Sequence, residues 1–153
     1  MRAAEVMSTD VLTVKPETAA TDAWELMRRK RIHHLVVMTD STVVGILSDR
    51  DAGGRSGGEL RARSSVTDLM TASAVTVDAS VPIRKMANLM RGRTIGCLPV
   101  VDGKKLVGIV TVSDLLEVLG GGADRPSKPR RRPPLHTRVP HRKDKRRGGY
   151  GVW

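Results

Sequence analysis

The feature that most constrains this chain is an internal duplication. Residues 7–51 lie over residues 70–114 without a gap, at a constant offset of 63, and 13 of the 45 pairs are identical. A pattern repeated at a fixed offset builds one supersecondary unit twice. The best-matched stretches are Val44-Gly-Ile-Leu-Ser-Asp-Arg-Asp51 and Val107-Gly-Ile-Val-Thr-Val-Ser-Asp114. Each reads as an apolar strand containing a glycine, then a hydroxyl residue, then an aspartate three positions on.

Within a copy the order of elements is readable. Val11-Leu-Thr-Val14 and Ala74-Val-Thr-Val77 are short β-branched runs that end at turn residues, and so read as strands. Helices follow, because Ala20, Ala23, Trp24 and Met27 recur at i, i+3, i+4 and i+7, as do Ile83, Met86, Ala87 and Met90. The volumes trade off between copies, which suits two helices packing across a shared interface. The methionines in these stripes read as core or as an adaptable binding surface, and core packing is the expectation. Two strands come next in each copy, Leu35-Val-Val-Met38 with Val43-Val-Gly-Ile-Leu47, and Leu98-Pro-Val-Val101 with Leu106-Val-Gly-Ile-Val110. Polar hairpin connections join them, the Asp102-Gly103 pair giving the stronger turn signal. A last helix is expected to open near Asp51 and near Asp114. The fold class is therefore α/β (α+β), a tandem β-α-β-β-α repeat, with Ala52-Gly-Gly-Arg-Ser-Gly-Gly58 as a loose linker that cuts the first copy's final helix short. Residues 1–55 are expected to form repeat 1, 56–65 the linker, 66–119 repeat 2 and 120–153 a tail.

Composition matters at three points. The chain has no Phe, so its core must come from Val, Leu, Ile, Met and Ala. The single cysteine, Cys97, excludes an internal disulfide framework and a thiol cluster for metal. The N-terminus lacks an apolar run and no stretch of about 18 apolar residues occurs, so neither a secretory leader nor a membrane span is expected and the default location is cytoplasmic. The net charge of +11 is unevenly divided, since residues 1–118 hold 16 Lys/Arg against 14 Asp/Glu, whereas 119–153 hold 11 against 2. Beyond Gly120, helix breakers and like charges with few apolar residues predict a disordered basic tail. Lys128, Arg130, Arg131, Arg132, Arg142, Lys143, Lys145, Arg146 and Arg147 could bind nucleic acid by counterion release, or could simply be a solvated end that aids solubility.

Ser48-x-x-Asp51 and Thr111-x-x-Asp114 fit two roles. A hydroxyl followed three residues later by an acid is a helix capping box, serving only backbone N–H groups. The same pair could hold a diol such as a ribose, with a phosphate received at the adjacent helix start. The duplicated frame, the preceding glycine-bearing strand and the matched hydroxyls Thr13 and Thr76 point toward the second role. His33 and His34 are adjacent on a strand and point to opposite faces, so they do not converge on a metal. No nucleophile–base set is evident, and an enzyme is not expected.

A β-α-β-β-α unit with Met-Ser/Thr near its start, a Val-Thr-Val strand, Ile-x-x-Leu-Pro-Val-Val and Gly-Ile-x-Thr-x-x-Asp, present twice over residues 6–118, resembles the CBS-domain pair, or Bateman module. The resemblance implies two repeats packed through their sheets about a pseudo-twofold axis, binding AMP, ADP, ATP or S-adenosylmethionine in the clefts between them. It implies ribose contacts at Ser48/Asp51 and Thr111/Asp114, further contacts from Thr13 and Thr76, and adenine-facing backbone at Ile32-His33-His34 and Ile95-Gly96-Cys97. Arg50 could reach phosphate where its counterpart Ser113 carries no charge, which would make the two sites unequal. The first copy lacks the proline that Pro99 supplies in the second, and it carries Ser48 where the family more often has Thr. What the resemblance implies is a stand-alone regulatory module, homodimeric, needing no cofactor beyond a regulatory adenosyl ligand and signalling to a partner protein. The alternative is a nucleic-acid-associated protein whose pair of repeats is only a dimerising scaffold.

Overall fold

The computed structural model describes residues 1–121; the expected disordered tail, with its basic groups at 128–132 and 142–147, lies outside them. The order is α1 (Ala3–Val6), β1 (Thr13–Val14), α2 (Ala20–Lys30), β2 (His34–Thr39), β3 (Thr42–Ser48), a 3-10 turn (Gly54–Ser56), α3 (Gly58–Ala62), α4 (Val66–Leu69), β4 (Thr71–Ala72), β5 (Val77–Asp78), α5 (Ile83–Arg93), β6 (Cys97–Asp102), β7 (Lys105–Thr111) and α6 (Val112–Gly121). One sheet runs β1-β2-β3-β4 and the other β5-β6-β7. The register repeats faithfully, because Val14 pairs with Val37 and Val77 with Val100, both in parallel. Among the described residues no helix is long and apolar enough to cross a membrane.

The compact units do not coincide with the sequence copies. Among the described residues one, here the Thr111 unit, holds residues 1–12, 40–43 and 73–121; the other, the Ser48 unit, holds 13–39 and 44–72. Each copy's leading segment thus belongs to the other copy's unit. The hydrogen bonds show the exchange to be reciprocal. Ala3 N–H donates to Val81 O at 2.8 Å and Val66 N–H to Thr18 O at 2.8 Å. Ser8 bridges Ile109, and Thr71 bridges Ile46.

A second reciprocity explains two of the repeated residues. A Cβ on Gly45 would lie 2.8 Å from the Met70 sulfur and 2.8 Å from the Thr71 carbonyl oxygen, and one on Gly108 would collide with the Met7 side chain. The methionine that opens each copy therefore occupies the space that the other copy's strand glycine leaves.

The cores follow from the apolar stripes. In the Thr111 unit Ala3, Val6, Met7, Val77, Met86, Met90, Leu98, Val100 and Val110 form one buried cluster. In the Ser48 unit Ala20, Ala23, Trp24, Met27, Leu35, Val36, Val37, Leu47 and Val66 are buried. Each Val, Leu or Met side chain removed from water contributes about 1.5–3 kcal/mol. Both long helices end on a left-handed residue, Arg31 at φ 51° and Thr94 at φ 54°, with arginines in their last turns facing the negative end of the helix dipole.

Three expectations need correction. Ala87 is exposed, although its stripe placed it in the packed face, because so small a side chain opposite α6 leaves a groove open. The first-copy helix expected near Asp51 does not form. Gly53 and Gly54 adopt φ of 89° and 62°, which turns the chain out of helical geometry. Nor is the glycine linker loose. Gly57 is buried so close to Gly53 that a Cβ on it would meet the Gly53 Cα at 2.6 Å. Arg61, 7% exposed, then clamps the loop, donating to Ala52 O at 2.7 Å and Gly54 O at 2.6 Å while its guanidinium sits 3.9 Å from the Trp24 ring centroid.

Candidate functional site: two capped strand-end corners

Each glycine-bearing strand ends where the chain must turn, and the hydroxyl-x-x-aspartate unit makes the turn. Ser48 N–H donates to Asp51 Oδ2 at 3.0 Å, while Asp51 N–H donates back to Ser48 Oγ at 2.9 Å. In the second copy Thr111 N–H donates to Asp114 Oδ2 at 2.8 Å and Asp114 N–H to Thr111 Oγ1 at 3.2 Å. Both corners carry the reciprocal hydrogen bonds of a capping box, and the second opens a helix, α6, whereas the first closes a turn. The cap holds each carboxylate in one orientation without exhausting it, since a carboxylate offers about four acceptor sites. Each hydroxyl oxygen accepts from the backbone and keeps its own proton to donate. Asp114 is buried and Asp51 half-buried, so both are partly shielded from competing water.

The segments expected to face a purine meet these corners. Asp49 N–H donates to His33 O at 3.0 Å, and Val112 N–H donates to Gly96 O at 3.1 Å. Cys97, buried, opens β6 and stands opposite Thr111 in the ladder. His34 opens β2 and is half-buried. Arg50 is exposed in the turn between Ser48 and Asp51, and Ser113 is exposed in the first turn of α6.

Thr13 and Thr76 are placed less directly. Thr13 lies on β1 opposite Val36, whereas Thr76 sits just before β5, outside the strand in which it was expected. Both are exposed, and among the described residues neither hydroxyl hydrogen-bonds to a corner. No group of three or more His, Cys, Asp or Glu that could hold a metal occurs among the described residues.

Two residues escaped the sequence reading. Arg61 looked like linker. Asp49 lies inside the corner motif, and its carboxylate Oδ2 stands 3.2 Å from His33 Nδ1. A signal for it existed, because positions 33 and 49 are His and Asp in one copy while their counterparts 96 and 112 are Gly and Val.

A groove of about 300 Å³ opens between α5 and α6, lined by Ala87, Met90, Arg91, Ile95, Val112, Leu115, Leu116 and Leu119. Its lining is almost wholly apolar and lacks the paired acceptor and donor that a sugar needs. Leu116 and Leu119 on its rim are 60% and 76% exposed.

Comparison with known proteins agrees with the duplication. The CBS domain model matches residues 3–52 and 66–121. The CBS domain-containing protein YhcV of Bacillus subtilis is 30% identical over 112 residues, covering 72% of this chain and 80% of its own. A putative signal-transduction protein with CBS domains from Burkholderia ambifaria superposes with a TM-score of 0.73 at 26% identity, over 82% of this chain and 98% of the other. CBSX2, solved in complex with AMP, gives a TM-score of 0.68 at 32% identity, over 78% and 96%.

Proposed function

The chain belongs to the CBS-domain family, and we propose that it is a regulatory module whose two corners bind an adenosine-containing ligand. The observation that carries this reading is the corner itself, built twice with the same reciprocal hydrogen bonds and a carboxylate fixed beside a hydroxyl that can still donate. The AMP named with CBSX2 supports it. In this reading Asp51 and Asp114 accept from the ribose hydroxyls, Ser48 and Thr111 donate to them, and Arg50 meets phosphate at the first corner only. Thr13 and Thr76 add contacts from the edge, and the backbone at His33–His34 and Gly96–Cys97 faces the base. Ligand binding shifts the population of the state that a partner protein recognises. A homodimer in the cytoplasm is part of the proposal, and the apolar groove with its exposed leucines supports contact with a second copy.

A thermal-shift screen with AMP, ADP, ATP and S-adenosylmethionine tests it, because a ligand that binds only the native state raises Tm. The expected result is a rise for at least one ligand in the wild type and none in Asp51→Asn/Asp114→Asn, where each Asn keeps a carbonyl acceptor for the cap. An equal rise in both proteins would overturn the assignment.

The charge of residues 119–153, 11 Lys/Arg against 2 Asp, favours a second reading in which this end binds nucleic acid. Truncation at residue 120 would then abolish salt-dependent RNA or DNA binding, and binding that survives truncation would sink it.

A further inference from the structure

At the backbone the two corners are alike, since residue 49 donates to residue 33 as residue 112 does to residue 96. At the side chains they differ. The first corner adds a second tie, His33 Nδ1 to Asp49 Oδ2 at 3.2 Å, where the second corner has Gly96, without a side chain, and Val112. A carboxylate only accepts, so the ring nitrogen facing it carries the proton. Both positions differ between the copies together.

The exposure of the two side chains, 36% for His33 and 17% for Asp49, argues against a mainly stabilising role. A contact that water still reaches on the imidazole side contributes little to folding. Their location argues for a positional one. Asp49 lies between Ser48 and Asp51, and His33 lies in the segment whose backbone touches the corner. A bridge between the two fixes the segment relative to the corner before any ligand arrives. Fixing a side chain in advance spares that ordering cost on binding.

We propose that the His33–Asp49 pair is a clasp that preorganises the first corner and makes it the tighter of the two ligand sites, with Asp49 a positioning residue that acts through His33. This rests on the adenosine-ligand reading above and goes beyond it by saying which corner fills first, and why.

The test is a double-mutant cycle on AMP affinity, carried out in Asp114→Asn protein so that only the first corner is read. The variants are His33→Gly, Asp49→Val and the two combined, which install the residues of the second corner. Each single change is expected to weaken AMP binding about three- to tenfold, and the pair no more than either alone. Asp49→Asn keeps an acceptor for the ring N–H and is expected to retain most of the affinity. The same cycle on ligand-free thermal unfolding reads the clasp without ligand. Coupling in unfolding with unchanged AMP affinity, or additive losses of affinity, overturns the proposal while leaving the adenosine-ligand reading intact. A wild-type protein that binds neither AMP nor the other screened ligands overturns that reading, and the clasp's role with it.

Discussion

The Ser48 unit and the Thr111 unit share a strand register and a capped corner, yet they finish the adjoining helix face in opposite ways. In the Ser48 unit Trp24 fills the face and Arg61 covers the indole, pinning the glycine loop by two carbonyl hydrogen bonds. In the Thr111 unit Ala87 stands at the Trp24 position, the chain continues as α6, and the face remains an open apolar groove. The copies kept the strand register and the hydroxyl-x-x-aspartate of the corner. The parts that diverged decide whether the helix beside the corner is sealed from within or left for another surface.

The largest way to break this comparison is to remove the seal. Arg61→Ala orphans the Ala52 carbonyl, leaves the Gly54 carbonyl with the Gly57 N–H as its donor, and uncovers Trp24, and is expected to cost about 2–4 kcal/mol in chemical denaturation. Measured at dilutions where the protein is monomeric, Leu116→Ala on the open face should stay within about 0.5 kcal/mol, as for other exposed sites. Equal costs would mean that the two faces are alike after all.

Next come the strand glycines, where the units differ in what can yield. Gly45→Ala drives a methyl against the Thr71 carbonyl as well as Met70, whereas the contacts around Gly108 all belong to the Met7 side chain. Overpacking of this kind costs about 1–3 kcal/mol, and Gly45→Ala should fall at the upper end. Adding Met7→Ala should recover part of the Gly108→Ala loss in urea denaturation, while Met70→Ala should recover little of the Gly45→Ala loss. Similar recovery in both would place the clash in side chains alone.

These two contrasts mark what could be read from the chain. The two long helices, the two hairpins, the helix after Asp114 and the corners were legible, because alternation, helical spacing and the 63-residue offset act locally, whereas the short α1, α4 and β4 and the turn in place of a helix after Asp51 were not. The exchange of leading segments was not. Met7 and Met70 look like members of their own copies, and only the register of Ser8 with Ile109 and of Thr71 with Ile46 shows which sheet each joins. Arg61 was hidden for another reason. A basic residue after four glycines reads as solvated linker until the indole and the two carbonyls converge on it. The corner itself was legible as chemistry but ambiguous in role, since the hydrogen bonds that make it a cap leave it equipped to hold a sugar.

Smaller effects sharpen the comparison. Thr94 holds φ 54° at the end of α5, a conformation that disfavours β-branched side chains, so Thr94→Gly should stabilise by about 0.5–1 kcal/mol. Arg31→Gly in the Ser48 unit should gain less, because Arg is not β-branched. The smallest effect concerns Asp78, whose counterpart is Lys15. The Ser80 backbone N–H and hydroxyl both donate to Asp78 Oδ1 at 2.8 Å and hold its carboxyl below the usual value. A depressed folded value adds stability above the unfolded pKa and loses it as pH falls through the folded one. NMR titration should therefore show Asp78 moving upward in Ser80→Ala, and any stability difference between the two proteins fading in strong acid. An unchanged titration would remove the Ser80 hydroxyl as a cause and leave the backbone N–H, which the variant keeps, as the one that holds the carboxyl down.

The central claim is that the two capped corners are ligand sites, and calorimetric titration with AMP tests it most directly. Wild type, Asp51→Asn, Asp114→Asn and the double variant would be compared, with circular dichroism establishing that each is folded. The account predicts saturable binding in the wild type, loss of one class of site in each single variant, and no binding in the double variant. A folded double variant with the wild-type isotherm would contradict it and leave the corners as caps alone.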